Sequence, residues 1–181
     1  MQTIATLILA HLIADFILQP AILIKQKFKS WNGIFIHALI HFFTLLLLFS
    51  KNFSVLNILF ASLLICFMHY VIDYLKILYE KNETHYYFSF IIDQFAHITF
   101  LLIANQLFLS TLKLSFYISE LFTIYLSLSI FFTFFIEITL DQKQRLLKNN
   151  SGKILQMKLE PMLIRFIVFN LIFFAYLLTK I

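Results

Sequence analysis

Apolar residues fall into six long runs separated by short polar stretches, at about 2–24, 33–50, 54–79, 88–110, 116–140 and 162–179. Each is close to the roughly 20 residues that a helix needs to cross the hydrocarbon layer of a membrane. The pattern predicts an all-α, polytopic membrane protein of about six crossings, forming a single domain over 1–181. The longest polar stretch, 141–160, is basic and too short to be a domain of its own. The first run has no positive leading region and no small-residue cleavage site, and it carries His11, Asp15 and Gln19. It is therefore expected to stay in place as the first crossing and not to be removed as a signal peptide.

The polar positions inside these runs are more informative than the runs themselves. His11 and Asp15, His37 and His41, His69 and Asp73, and Asp93 and His97 form four pairs spaced i,i+4, each in a different run. Residues four apart share a helix face, one turn apart. Ionisable side chains in the hydrocarbon region are costly and rare, and by default they mark function. Four helices carrying such pairs predict one shared polar centre.

Composition supports the membrane assignment: 61% of the residues are hydrophobic and the mean hydropathy is +0.90. Cys66 stands alone, so an internal disulfide and a thiolate zinc cluster are excluded, and it reads as a small buried hydrophobe. With only Gly33 and Gly152, the chain has no glycine-rich phosphate loop and no dinucleotide fingerprint. The net charge of +5 reads as topology. Lys25, Lys27, Lys29, Lys76, Lys81, Lys143, Arg145, Lys148, Lys153 and Lys158 fall in or near the first, third and fifth loops, against Lys51, Lys113 and Lys180 on the other side. The positive-inside rule puts the first set in the cytoplasm and both termini outside it. Membrane lipids are the expected partners, and nucleic acid is not, because no compact basic domain exists to bind it. Trp31 and Tyr79, Tyr86 and Tyr87 fit interfacial anchors. No oligomeric state follows from the sequence.

With this topology all four pairs fall in the cytoplasmic halves of their helices, joined by Gln19, Lys76, Gln94, Glu137, Asp141 and Arg165. The opposite halves are nearly bare, with Asn57, Asn105, Gln106 and Glu120 as the main exceptions. The polar centre is expected to open toward the cytoplasm, which argues against a simple channel. The first four helices also look duplicated. His11 to Phe16 aligns with His69 to Tyr74, and His37 and His41 align with Asp93 and His97. A helical hairpin repeated at 1–50 and 54–110 is expected, with helices five and six at 116–181.

His11, Asp15, His37, His41, His69, Asp73, Asp93 and His97 are the candidate metal ligands. Imidazole and carboxylate suit zinc, the first candidate, or manganese or iron, and ligands at i,i+4 can grip one ion from one helix. Some aspartates would orient ligand histidines instead of binding directly. Asp15, Asp73 and Asp93 are the candidate catalytic carboxylates. Lys76, Gln19, Gln94 and Arg165 are the candidate substrate-binding groups. The competing readings are a metal-free polar network that glues helices together and a proton relay.

The segments HLIADFILQ at 11–19, HALIH at 37–41, HYVIDYLK at 69–76 and DQFAH at 93–97, in this order, resemble a family of bacterial inner-membrane proteins, domain-of-unknown-function family 3307. The likeness covers most of the chain. Members of that family continue after the fifth helix into a Gly-Lys/Arg-x-Ile-Gly-x-Leu-Glu-Arg pattern. Here Ser151-Gly152-Lys153-Ile154 and Leu159-Glu160-Pro161 look like a lengthened version with proline in place of the arginine. The resemblance implies a multi-pass protein of the inner membrane and names no reaction.

The expected function is a membrane-embedded, metal-dependent hydrolase or lipid-modifying enzyme acting on a lipid headgroup from the inner leaflet. The alternatives are a divalent-metal transporter, which paired HxxxD helices also suit, and a non-enzymatic membrane partner or effector with a structural polar cluster.

Overall fold

The computed structural model describes residues 1–52, 55–80, 86–147 and 159–179. Every regular element among them is helical: α1 (Gln2–Leu12), α2 (Ala21–Lys29), α3 (Trp31–Leu48), α4 (Leu56–Glu80), α5 (Tyr86–Ala104), α6 (Glu120–Ile130), α7 (Ile136–Leu147) and α8 (Leu159–Leu178). Wide π-helical turns extend α1 over Ile13–Ile17, extend α5 over Asn105–Leu109, and join α6 to α7 over Phe131–Phe135. Helices are what a lipid environment demands, because they satisfy their own backbone polar groups.

Five runs among the described residues are long and apolar enough to cross a bilayer: Trp31–Leu48, Leu56–Glu80, Phe88–Leu109, Glu120–Asp141 and Leu159–Leu178. They match the expected second to sixth crossings to within a few residues. The first crossing differs. It was expected as one helix over 2–24, but Gln2–Ile17 and Ile22–Lys29 meet at a bend of 91°. The cause is Pro20. Its ring disfavours helical backbone at Gln19, and it has no N–H to give to a continuing helix. Leu18 closes the π-turn on the Ile13 carbonyl at 2.9 Å, and Pro20, in extended backbone, starts α2 afresh. Among the described residues the count of candidate crossings is therefore five, or six with the bent pair taken as one span.

The lipid-facing surface is apolar, with Phe35, Phe43, Leu47, Phe67, Ile92, Phe95 and Leu107 exposed around the bundle. Helix α8 packs on α6 and on the Phe131–Phe135 turn, where Tyr125 donates to Asn170 Oδ1 at 2.5 Å. The interior has two apolar clusters. One joins Leu7, Ala10, Leu45, Phe49, Ile58, Ala61, Ile65, Leu101, Ala104 and Leu109. The other joins Leu9, Leu12, Phe16, Phe90, Ile130 and Ile138. Buried Ala10, Ala38, Ala61 and Ala104 let the helices approach closely. Cys66 donates to the Ala38 carbonyl at 3.3 Å, in keeping with a packing role.

The end of the bundle that holds the N-terminus is tied by side chains to the backbone. Asn52 donates to Ser115 O at 2.7 Å and accepts from Ser115 N at 3.0 Å. Gln2 donates to Ile118 O at 2.6 Å, Asn57 to Phe108 O at 3.0 Å, and Lys51 to Phe116 O at 3.0 Å. The expected polar exceptions Asn57 and Asn105 lie in this half. At the other end α2 folds back onto α3. Ser30 separates the two and caps α3 by accepting from Gly33 N at 3.4 Å. Their contact is backbone to backbone, because a Cβ on Gly33 would lie 2.4 Å from Gln26 C and 2.6 Å from Lys27 N. Only glycine admits that approach.

Gly33→Ala should accordingly force α2 away from α3. The expected cost is about 1–3 kcal/mol, the usual penalty of overpacking. Thermal unfolding in mild detergent should show a midpoint lower by at least about 2 °C. An unchanged midpoint would mean that α2 is not held by this contact.

Candidate metal centre

All eight predicted ligands converge. The bundle places His37 about 9 Å beyond the start of α3, Asp73 about 10 Å before the end of α4, and Asp93 about 10 Å beyond the start of α5. Asp15 enters from the π-turn that closes α1. Wide turns of this kind recur at functional sites because they re-aim a side chain within a helix. His11, His37, His41, His69, Asp73, Asp93 and His97 are all buried, and Asp15 is 9% exposed.

Asp15 is the hub. His37 and His41 both donate from Nε2 to its Oδ1 at 3.0 Å. His69 Nε2 lies 3.6 Å from the same oxygen, and His11 Nε2 lies 3.5 Å from Oδ2. The imidazoles crowd together, His41 stacked on His69 with ring centroids 3.5 Å apart and His97 tilted against His69 at 4.0 Å. Asp73 Oδ2 lies 3.6 Å from His69 Nε2 and 3.8 Å from His37 Nε2. Asp93 Oδ1 lies 3.6 Å from His97 Nδ1.

Three groups have ligand atoms mutually within 4.8 Å: His11, Asp15, His41 and His69; His37, His69 and Asp73; and Asp73, Asp93 and His97. A tetrahedral ion with bonds of about 2.05 Å has ligand–ligand edges of about 3.3 Å. The carboxylate–imidazole separations of 3.0–3.6 Å around Asp15 bracket that edge. Several buried atoms of these residues, His69 Nε2, Asp93 Oδ1 and both ring nitrogens of His97, have no hydrogen-bond partner among the described residues. Buried polar atoms are normally paired. The chemistry of the donor set therefore fits a metal ion.

The candidate substrate-binding residues are distributed unevenly. Gln94 is buried inside the cluster. It donates to Asp15 Oδ2 and to Asp93 Oδ2, both at 3.2 Å, and its Oε1 lies 3.4 Å from His11 Nε2. Lys76 donates to Asp93 Oδ2 at 2.9 Å. Gln19 sits in the hinge before α2. With its amide turned to suit its neighbours, it donates to the Asp15 carbonyl at 3.2 Å and accepts from Lys27 Nζ at 3.0 Å. Arg165, on α8, pairs with Glu137 on α7.

Sequence reasoning missed one member of the cluster. Lys27 was counted only as a charge for topology, yet its ammonium lies 2.5 Å from Asp73 Oδ2 and its side chain is 13% exposed. The signal available was Pro20, which turns the chain back and brings the next turn of helix over the site. Glu80, buried at the end of α4 and accepting from Ser89 at 2.8 Å, was likewise not singled out. Lys81, His85, Lys148, Lys153, Lys158 and Lys180 lie outside the described residues, as does the stretch Ser151 to Ile154.

Fold and cluster define a polytopic α-helical membrane protein with a buried His/Asp centre. Residues 3–125 match the family described as protein of unknown function DUF3307, and the chain belongs to that family. The match contains all eight ligand candidates and ends before the altered motif at 151–161. No curated protein and no solved structure matches the chain.

Asp15→Ala should destabilise the bundle even with metal chelated away, because it leaves the imidazole N–H groups of His37 and His41 without their acceptor and takes from the Gln94 amide one of its two. Each such loss is worth about 1–3 kcal/mol. Asp15→Asn keeps an acceptor and should fall between Ala and the parent in thermal unfolding with excess chelator. Equal midpoints for Ala and the parent would remove Asp15 from the centre of the network.

Proposed function

We propose that this protein is a metal-dependent hydrolase or lipid-modifying enzyme of the bacterial inner membrane. It binds a divalent ion, zinc first and manganese or iron as alternatives, in its buried His/Asp centre. The observation that carries this reading is the convergence of five imidazoles and three carboxylates from four helical segments into three overlapping groups, each with ligand atoms mutually within 4.8 Å, and with several of those atoms left unpartnered. A metal-free helix glue would leave its own donors and acceptors satisfied.

In this reading His11, His41, His69 and Asp15 hold the ion. A bound divalent ion lowers the pKa of a coordinated water and polarises a carbonyl or phosphoryl oxygen. Asp93 suits the general base: Lys76 holds its Oδ2 at 2.9 Å, and its Oδ1 has no hydrogen-bond partner. Asp73, bound to Lys27, lines the other side. Lys76, 21% exposed, is the cation best placed to meet an anionic headgroup. Arg165 is engaged by Glu137 and has no part in this site. The basic first, third and fifth loops lie in the cytoplasm, both termini lie outside it, and the substrate comes from the inner leaflet. The apolar cluster around Leu7, Leu45, Ile65 and Leu101 supports an enzyme over a transporter, because it closes the bundle beyond the site.

Purified in mild detergent, the protein should retain about one equivalent of zinc, manganese or iron by elemental mass spectrometry, and a His37→Ala/His41→Ala variant should retain almost none. Asp93→Asn should keep the metal and lose hydrolysis of liposomal phospholipid or lipid amide by about 100-fold or more, the usual range for a general base. Zinc uptake into proteoliposomes that His69→Ala abolishes would make the protein a transporter. A folded parent protein that holds no metal would refute the metal reading.

A further inference from the structure

Resting on that metal reading, we propose that Lys27 is the resident cation of the Asp73 side of the site, and that the divalent ion enters by exchanging with it. Lys27 Nζ lies 2.5 Å from Asp73 Oδ2 and 3.0 Å from the Gln19 amide oxygen. Asp73 Oδ2 also lies 3.6 Å from Nε2 of His69, a ligand of the proposed ion, and 3.8 Å from Nε2 of His37, so the ion and the ammonium are close neighbours in one pocket.

Charge gives the second argument. A divalent ion among these imidazoles places a second cation beside the Lys27 ammonium, and like charges at close range in a low-dielectric interior repel strongly. Expelling one ammonium as the ion enters relieves that repulsion.

The fold decides which lysine leaves. Lys76 stands on α4, the longest helix of the bundle, packed between α3 and α5. Lys27 stands on the nine-residue α2, which hangs between the bend at 18–20 and the turn at Ser30. Its neighbours Lys25 and Lys29 are already exposed on the same short helix. A swing of the Lys27 side chain, or a tilt of α2, carries its ammonium to the headgroup layer beside them. The hinge residue Gln19 would follow, because its oxygen contacts that ammonium.

The test reads zinc alone against chelated protein. Amine-reactive labelling of the unmodified protein, followed by peptide mass spectrometry, should show Lys27 labelled several-fold faster once zinc is bound, with no zinc effect in His37→Ala/His41→Ala. Lys27→Met should bind zinc about tenfold more tightly than the parent, whereas Lys27→Arg, which keeps a competing cation, should bind no more tightly. Should Lys27→Met fail to fold, the labelling of the parent decides alone. If zinc binds the parent but Lys27 labelling stays level or falls, the exchange is refuted and the metal site stands. If zinc does not bind the parent at all, both readings fall.

Discussion

Three carboxylates inside a hydrocarbon slab are the constraint on which the rest of this bundle depends. An isolated ionised carboxylate at that depth has no water to solvate it, so it must be met by donors and cations from the protein itself. Asp15 is met by His37, His41 and Gln94, Asp73 by Lys27, and Asp93 by Lys76 and Gln94. These partners come from α2, α3, α4 and α5, so helices far apart in sequence must converge at one depth. The apolar clusters then fill the space that the polar centre leaves, and they do so with small residues where helices cross close by.

The broken first crossing follows from the same constraint. A straight helix over 2–24 would carry Gln19 and the lysines after it away from the aspartates. Pro20 ends the helix one turn after Asp15, and Gly33 lets α2 lie directly on α3. Together they turn a basic stretch that would otherwise mark a loop into a cover whose middle lysine reaches Asp73. Topology charge and site charge are thus carried by the same short helix, with Lys25 and Lys29 outward and Lys27 inward.

Much of this could be read in the sequence, for a definite reason. The i,i+4 spacing fixes a helix face whatever the tertiary structure, and a charged pair in an apolar run has few places to go but inward. That is why His11, Asp15, His37, His41, His69, Asp73, Asp93 and His97 were identifiable before any fold was known. The bend at 18–20 was legible in principle from Pro20 but was outweighed by the length of the apolar run around it. The inward turn of Lys27 was legible only in part: Pro20 marks the turn, but the hinge angle and the backbone contact at Gly33 are encoded in no periodicity. Arg165 had two acidic candidates within reach of its helix, and only packing selects Glu137.

The cluster is not chemically uniform, and this bears on what it can hold. Around Asp15 four imidazoles from α1, α3 and α4 face one carboxylate, a nitrogen-rich set. Around Asp73 and Asp93 the donors are mostly oxygen, and each carboxylate already has a lysine. Here the acid with no lysine is the one that four imidazoles surround at 3.0–3.6 Å. That asymmetry is what makes the Asp15 side the proposed seat of the ion.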